Sequence, residues 1–138
     1  MSTTPGTFRV EIVTPTGGVI LSREAKHVRL PGESGSFGVL AGHANLMAAL
    51  GTGVAVVEED KAVTRLAMSG GYAHVHQGRL LVLAESAELP ERIDAARAEA
   101  AADRARKRLE NAPDVDLDRA QAALARALNR LRVAGGIS

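Results

Sequence analysis

The sequence predicts an antiparallel β-sandwich followed by an antiparallel two-helix hairpin, and three observations carry that reading. Up to residue 88, apolar residues recur at every second position in short runs broken by glycine. From Pro90 onward the chain is rich in alanine, arginine and aspartate, with its leucines at helical spacing. Composition changes abruptly at Leu89-Pro90, and a hydrophobic period of 2 and one of 3.6 cannot share one regular element. The expected domains are therefore a sandwich over 1–88 and a helical hairpin over 89–138.

In the body, Phe8, Val10 and Ile12 alternate with Arg9 and Glu11, the pattern of a strand with one buried and one wet face. Gly17-Gly18 supplies a turn before Val19-Ile20-Leu21, and Val28 and Leu30 alternate until Pro31-Gly32, where that strand is expected to stop. Glu58-Glu59-Asp60-Lys61 separates the run 54–57 from the run 63–68, and Gln77-Gly78 separates 72–76 from 79–83, two hairpin signals. No helix is long enough to cross over between these strands, which favours an antiparallel sandwich or flattened barrel.

The segment from Pro31 to His43 is the least regular of the body and the richest in glycine. It reads either as a long β-connection or as a docking loop whose apolar content is Phe37, Val39 and Leu40. A phosphate-binding loop is disfavoured, because no Gly-Lys-Ser/Thr closes it.

Pro90 suits the first turn of a helix, with Glu91 and Asp94 near its positive dipole end. Ile93, Ala96, Ala100 and Leu109 are its apolar material. Asn111-Ala112-Pro113-Asp114 should end it, since proline disfavours helical geometry in the preceding residue. Asp116 or Asp114 then caps a second helix, whose stripe is Leu117, Ala120, Leu124, Ala127, Leu128 and Leu131, and Gly135-Gly136 stops it. Small alanines bury little area, so the hairpin should grip weakly.

Bulk chemistry narrows the function. The net charge is +1, there is no cysteine, and aromatics make up 2% of the chain. Disulfides and thiolate metal sites are therefore excluded, and base-stacking platforms are disfavoured. No apolar run approaches the roughly 18 residues of a membrane span, so a soluble protein is expected, meeting a membrane only through partners. His74 and His76 lie two apart on one strand face with Tyr72, as in a solvated face; no metal site is assigned to them or to His27 and His43. Ser69-Gly70-Gly71 lacks the spacing of a nucleophile elbow, and no motif pairs two carboxylates for acid–base work. An independent enzyme is not expected.

The arginines of the tail are spaced non-randomly. Arg97, Arg104 and Arg108 share one helical face, with Asp94 three residues before Arg97, and Arg126 and Arg130 are four apart. If the helices fold back on each other, these guanidinium groups either converge on a phosphorylated ligand or form a solvated face laced with ion pairs. A free-standing adaptor with a nucleic-acid-binding hairpin is the main alternative, but Asp94, Glu99, Asp103, Glu110 and Asp118 interleave with the basic residues.

Taken in order, GSFGVLAGHA, the SGGY stretch, IDAARA and ALARALNRL resemble the epsilon subunit family of the bacterial F-type ATP synthase over essentially the whole chain. Ala41 and Asn45 depart from the pattern, standing where the family usually has proline. The resemblance implies a ten-stranded sandwich and a helical hairpin in a non-catalytic central-stalk subunit that couples proton flow to ATP synthesis. It implies contact with the gamma subunit and the c-ring, with Glu33, Ser36, Phe37 and His43 as candidate contacts. It also implies that the extended hairpin reaches the alpha and beta subunits and inhibits ATP hydrolysis. The location implied is the cytoplasmic face of the bacterial plasma membrane, as a peripheral protein. No cofactor is required, but some members bind a regulatory ATP through I/L-D-x-x-R-A. That motif is matched by Ile93, Asp94, Arg97 and Ala98, and further positions give Glu88, Arg104, Arg126 and Arg130.

Overall fold

The computed structural model describes residues 6–111 and 116–135. Eight strands precede two helices: β1 Phe8–Thr14, β2 Gly18–Ala25, β3 His27–Gly32, β4 Gly35–Leu40, β5 Leu46–Ala49, β6 Gly53–Glu58, β7 Val63–His76, β8 Arg79–Glu88, α1 Ala95–Asn111 and α2 Leu117–Ala134. The strand order is β2-β1-β8-β7-β6-β3-β4, with β5 also on β7. Every pairing is antiparallel except that of β1 with β8, which is parallel.

Strand β7 belongs to both layers of the sandwich. Its first half pairs with β6 and its second half with β5, while β8 runs along most of its length. The runs 63–68 and 72–76, expected as two strands, are thus one strand, which accounts in part for eight strands among the described residues rather than the implied ten. The passage between layers falls at Gly70 and Gly71, with φ of +66° and +106°. A Cβ on Gly71 would overlap the backbone of Leu83 and Ala84, so only glycine fits there.

The predicted alternation of β1 is present: Phe8, Val10 and Ile12 are buried and Arg9 and Glu11 only half-buried. With Leu30, Leu66, Met68, Leu80 and Val82 they form a continuous core. Each large aliphatic side chain in it contributes roughly 1.5–3 kcal/mol. The turn at Gln77-Gly78 has φ of 50° and 75°, the left-handed pair of a two-residue hairpin that follows the strand twist.

The strand ends at Pro31-Gly32 as expected, although Pro31 is buried within β3 and the last pair is Gly32 opposite Gly35. The supposed irregular loop is therefore mostly the β3–β4 hairpin. Its glycines serve the pairing, since a Cβ on Gly32 would run into Gly35 and the Phe37 ring.

The junction is also more articulated than predicted. Leu89 is extended, as a residue before proline should be, and Pro90–Arg92 forms a separate 3₁₀ turn. Ile93 is extended again, and α1 starts at Ala95, capped by Asp94, whose Oδ1 accepts from Arg97 N at 3.0 Å. Asp116 caps α2 by accepting from Arg119 N at 3.1 Å. Gly135 closes α2, its N–H donating to the Leu131 carbonyl. Asp114 and Gly136, the other predicted end signals, lie outside the described residues.

The helices meet through alanines. The buried face of α1 is Ala98, Ala102 and Ala105, not Ala96 and Ala100, which are exposed. On α2 the buried residues are Ala120, Ala127, Asn129 and Val133, whereas Leu117 and Leu128 face solvent. The expected leucine stripe is thus rotated toward the small residues, because short side chains let two helix backbones approach closely. It is mainly α2 that packs on the sheet, against β6 and β7. No helix among the described residues is long and apolar enough to cross a membrane.

Candidate functional site

The predicted site residues fall into two groups. At the seam between sandwich and hairpin, the 3₁₀ turn, the start of α1 and the end of α2 enclose a cavity of about 380 Å³. Glu88, Arg92, Asp94, Arg97, Ala98, Ala101, Arg104 and Arg130 line it. Of the residues expected to gather, Glu88, Asp94, Arg97, Ala98, Arg104 and Arg130 do so. Ile93 is half-buried beside them without lining the cavity, and Arg126 lines a separate narrow gap toward Ser69 and Ser86. Arg108 lies farther along α1, beside Asp116 and Arg119.

The geometry follows from helical spacing. Arg97 and Arg104 are two turns apart on α1, and Arg130 approaches from the antiparallel α2. Arg130 Nε donates to Glu88 Oε1 at 2.5 Å, tying α2 to the last strand of the sandwich. Asp94 is occupied with capping α1. Arg92, Arg97 and Arg104 have no ion pair among the described residues, so the cavity carries surplus positive charge. Its size lies within the range of small-molecule sites, and its guanidinium groups suit phosphate oxygens. Arg92 escaped the sequence reading because it lies outside both helical faces; only the position of the 3₁₀ turn brings it in.

A second tie holds the hairpin down. Asn129, buried on α2, donates from Nδ2 to the Gly53 carbonyl at 2.6 Å. Asn129→Ala leaves that carbonyl without its donor, a change of about 1–3 kcal/mol. The expected result is faster trypsin cleavage within the tail, with little change in the melting of the sandwich.

The contact residues expected in the body are spread out. Glu33 is exposed in the β3–β4 turn, and its N–H donates to the Ala49 carbonyl at 2.9 Å. Ser36 is exposed on β4, and Phe37 packs partly on the core. His43 lies beyond the opposite end of β4, its Nδ1 donating to the Ala44 carbonyl at 2.7 Å. Asn45, where the family usually has proline, accepts from Gln77 N through its Oδ1 at 3.4 Å.

The outer sheet face adds a feature that the sequence reading missed. Val19, Val13, Leu83, Tyr72 and Ala49 are successive cross-strand partners over β2, β1, β8, β7 and β5. Leu81, His74 and Met47 form a parallel row. Val19, Leu83, Tyr72 and Met47 are each more than half exposed. The predicted solvation of the histidine face is present, with the His74 and His76 rings stacked 5.6 Å apart; His74 has the apolar partners Leu81 and Met47, while His76 lies opposite Arg79. Contiguous exposed apolar rows of this kind mark docking surfaces.

Comparison with known proteins agrees with this layout. The family model of the ATP synthase delta/epsilon chain β-sandwich domain matches residues 7–90, and that of the delta/epsilon long α-helix domain matches residues 91–135. The chain is 41% identical to the ATP synthase epsilon chain of Desulfitobacterium hafniense over 129 residues, 94% of this chain and 97% of that one. It is 39% identical to the epsilon chain of Bacillus pumilus, covering 94% and 98% of the two. Among solved structures, a chain of the Euglena gracilis mitochondrial ATP synthase matches with a TM-score of 0.76 at 22% identity, covering 90% of this chain and 79% of that one. A chain of the Tetrahymena thermophila mitochondrial ATP synthase central stalk and c-ring matches with a TM-score of 0.61 at 13% identity over 98% of both. At those identities the two structures bear on the fold alone.

Proposed function

Since the chain belongs to the family of ATP synthase delta/epsilon chains, we propose that it is a non-catalytic central-stalk subunit of the proton-translocating ATP synthase. In this reading the sandwich stays fixed to the rotor, on the gamma subunit and against the c-ring, at the cytoplasmic face of the bacterial membrane. The hairpin is a regulatory arm that folds down on the sandwich or extends toward the alpha and beta subunits and restrains ATP hydrolysis. The observation that carries this is the docking of α2. It rests on small buried residues, one Asn129 hydrogen bond and one partly exposed Arg130–Glu88 pair, a grip light enough to release.

The arginine-lined cavity supplies the control. A regulatory ATP bound by Arg97, Arg104 and Arg130 bridges both helices and favours the folded hairpin in proportion to its occupancy. Arg104→Ala is expected to weaken ATP binding by tenfold or more, about 1.4 kcal/mol, and Arg126→Ala by less, because Arg126 lines a different gap. Calorimetry with the full chain checks both, and no binding by the unsubstituted chain at millimolar ATP removes the nucleotide from the reading. The regulatory role itself is tested by ATP hydrolysis of the assembled motor with the full chain or with a chain ending at Leu89. Faster hydrolysis with the shortened chain is expected; equal rates leave a stalk subunit whose hairpin does not inhibit.

A further inference from the structure

A second basic groove lies on the sheet face beside the end of α2, away from the cavity assigned to ATP. Arg29, Val56 and Arg65 are cross-strand partners on β3, β6 and β7, so the two arginines rise from one face on either side of a short apolar residue. Two strand spacings put their Cα atoms about 10 Å apart, within which two extended arginine side chains can meet above Val56. Arg132, from the last turn of α2, lines the same groove, and so do the hydroxyl-bearing residues Ser36 and Thr52. The cavity measures about 570 Å³.

Its charge is unbalanced. Among the described residues Glu58 is the one carboxylate in the lining, and it is engaged by His27, whose Nδ1 lies 3.1 Å from Glu58 Oε2. Arg29, Arg65 and Arg132 have no ion pair among the described residues. Nε of Arg65 is buried and has no acceptor among the described residues. A buried donor left without a partner is costly, the more so when it belongs to a charged group, so an anion seated here would recover what the fold forgoes.

We propose that this groove binds a compact, multiply charged phosphate anion, held by Arg29 and Arg65 from the sandwich and by Arg132 from the hairpin. Guanidinium forks match phosphate oxygens two at a time, and the hydroxyls of Ser36 and Thr52 add neutral donors. Beyond the His27–Glu58 pair the remaining walls are Pro31, Val54, Val56 and three glycines, with no tyrosine or phenylalanine among the described residues to stack a base, which favours a free di- or polyphosphate over a nucleotide. Because its arginines come from both parts of the chain, the occupied groove fastens the hairpin at a point separate from Arg130 and Glu88. The inference holds whether or not the other cavity binds ATP.

Titration of the full chain with inorganic pyrophosphate at low ionic strength, followed by calorimetry, tests it. A saturable site is expected that is weakened at least tenfold in Arg29→Ala and in Arg65→Met; binding in the other cavity adds a second site that Arg104→Ala removes while the first persists. Arg29 is exposed, so Arg29→Ala should melt like the parent protein and keeps the test clear of folding defects. Pyrophosphate should also slow trypsin cleavage of the tail in the parent and not in Arg132→Ala. Absence of binding at about 10 mM pyrophosphate overturns the proposal. So does binding lost in Arg104→Ala but kept in Arg29→Ala, which assigns the anion to the other cavity.

Discussion

Gly71→Val is expected to lower the stability of the sandwich by about 2–6 kcal/mol, a large share of what a domain of this size has. Two penalties add at this position. Its φ of +106° is reached by almost no residue with a side chain, a strain of about 1–3 kcal/mol that a β-branched residue feels most. The new Cβ also overlaps the backbone of Leu83 and Ala84, which are held in the β7–β8 ladder and cannot move aside, a further 1–3 kcal/mol or so. Gly78→Ala is the control: its φ is +75° and the space around it is open, so a loss of only about 1 kcal/mol is expected. Urea unfolding of the two variants checks the pair. A Gly71→Val midpoint close to that of Gly78→Ala would mean that the passage of β7 between layers does not depend on this glycine.

Leu83→Glu combined with Tyr72→Lys is expected to abolish incorporation of the chain into the motor while leaving its own melting nearly unchanged. Both side chains lie in the exposed apolar row and are more than half accessible, so they contribute little to the isolated fold. They are direct cross-strand partners, and opposite charges there avoid the repulsion that two glutamates would introduce. Buried at the centre of an interface, each would be worth about 2 kcal/mol or more, so their joint loss reduces affinity by a factor of several hundred or more. Co-purification of tagged chain with the assembled complex reads the effect. Undiminished recovery of the double variant would move the docking surface to another face.

What the sequence made legible was set by side-chain size. Phe8, Val10 and Ile12 announce β1 because large apolar residues at alternate positions have one interpretation. Gly32 and Gly35 carry no such signal, so a hairpin whose pairing depends on close backbone approach looked like irregular chain. In α1 the buried face is Ala98, Ala102 and Ala105, and alanine is too common along that helix for any one row to stand out. Helical spacing alone brought Arg97, Arg104 and Arg130 together, since antiparallel helices oblige it. Arg92, Arg29 and Arg65 joined their sites through the 3₁₀ turn and through strand register, which only the folded chain supplies. The apolar row was hidden for the same reason, being spread over five strands.

The parallel pairing of β1 with β8 also sets a schedule for biosynthesis. Val10 finds its partner Leu80 only when nearly the whole sandwich has left the ribosome, so the first strand made is among the last to be enclosed. Contacts this distant along the chain slow folding, because closing a long loop must precede any return from it. The helical segment emerges next and is built from local contacts that form quickly. Its residues arrive at only about 5–20 per second, slower than a sandwich closes, so the surface on β6 and β7 is complete before α2 is there to dock on it.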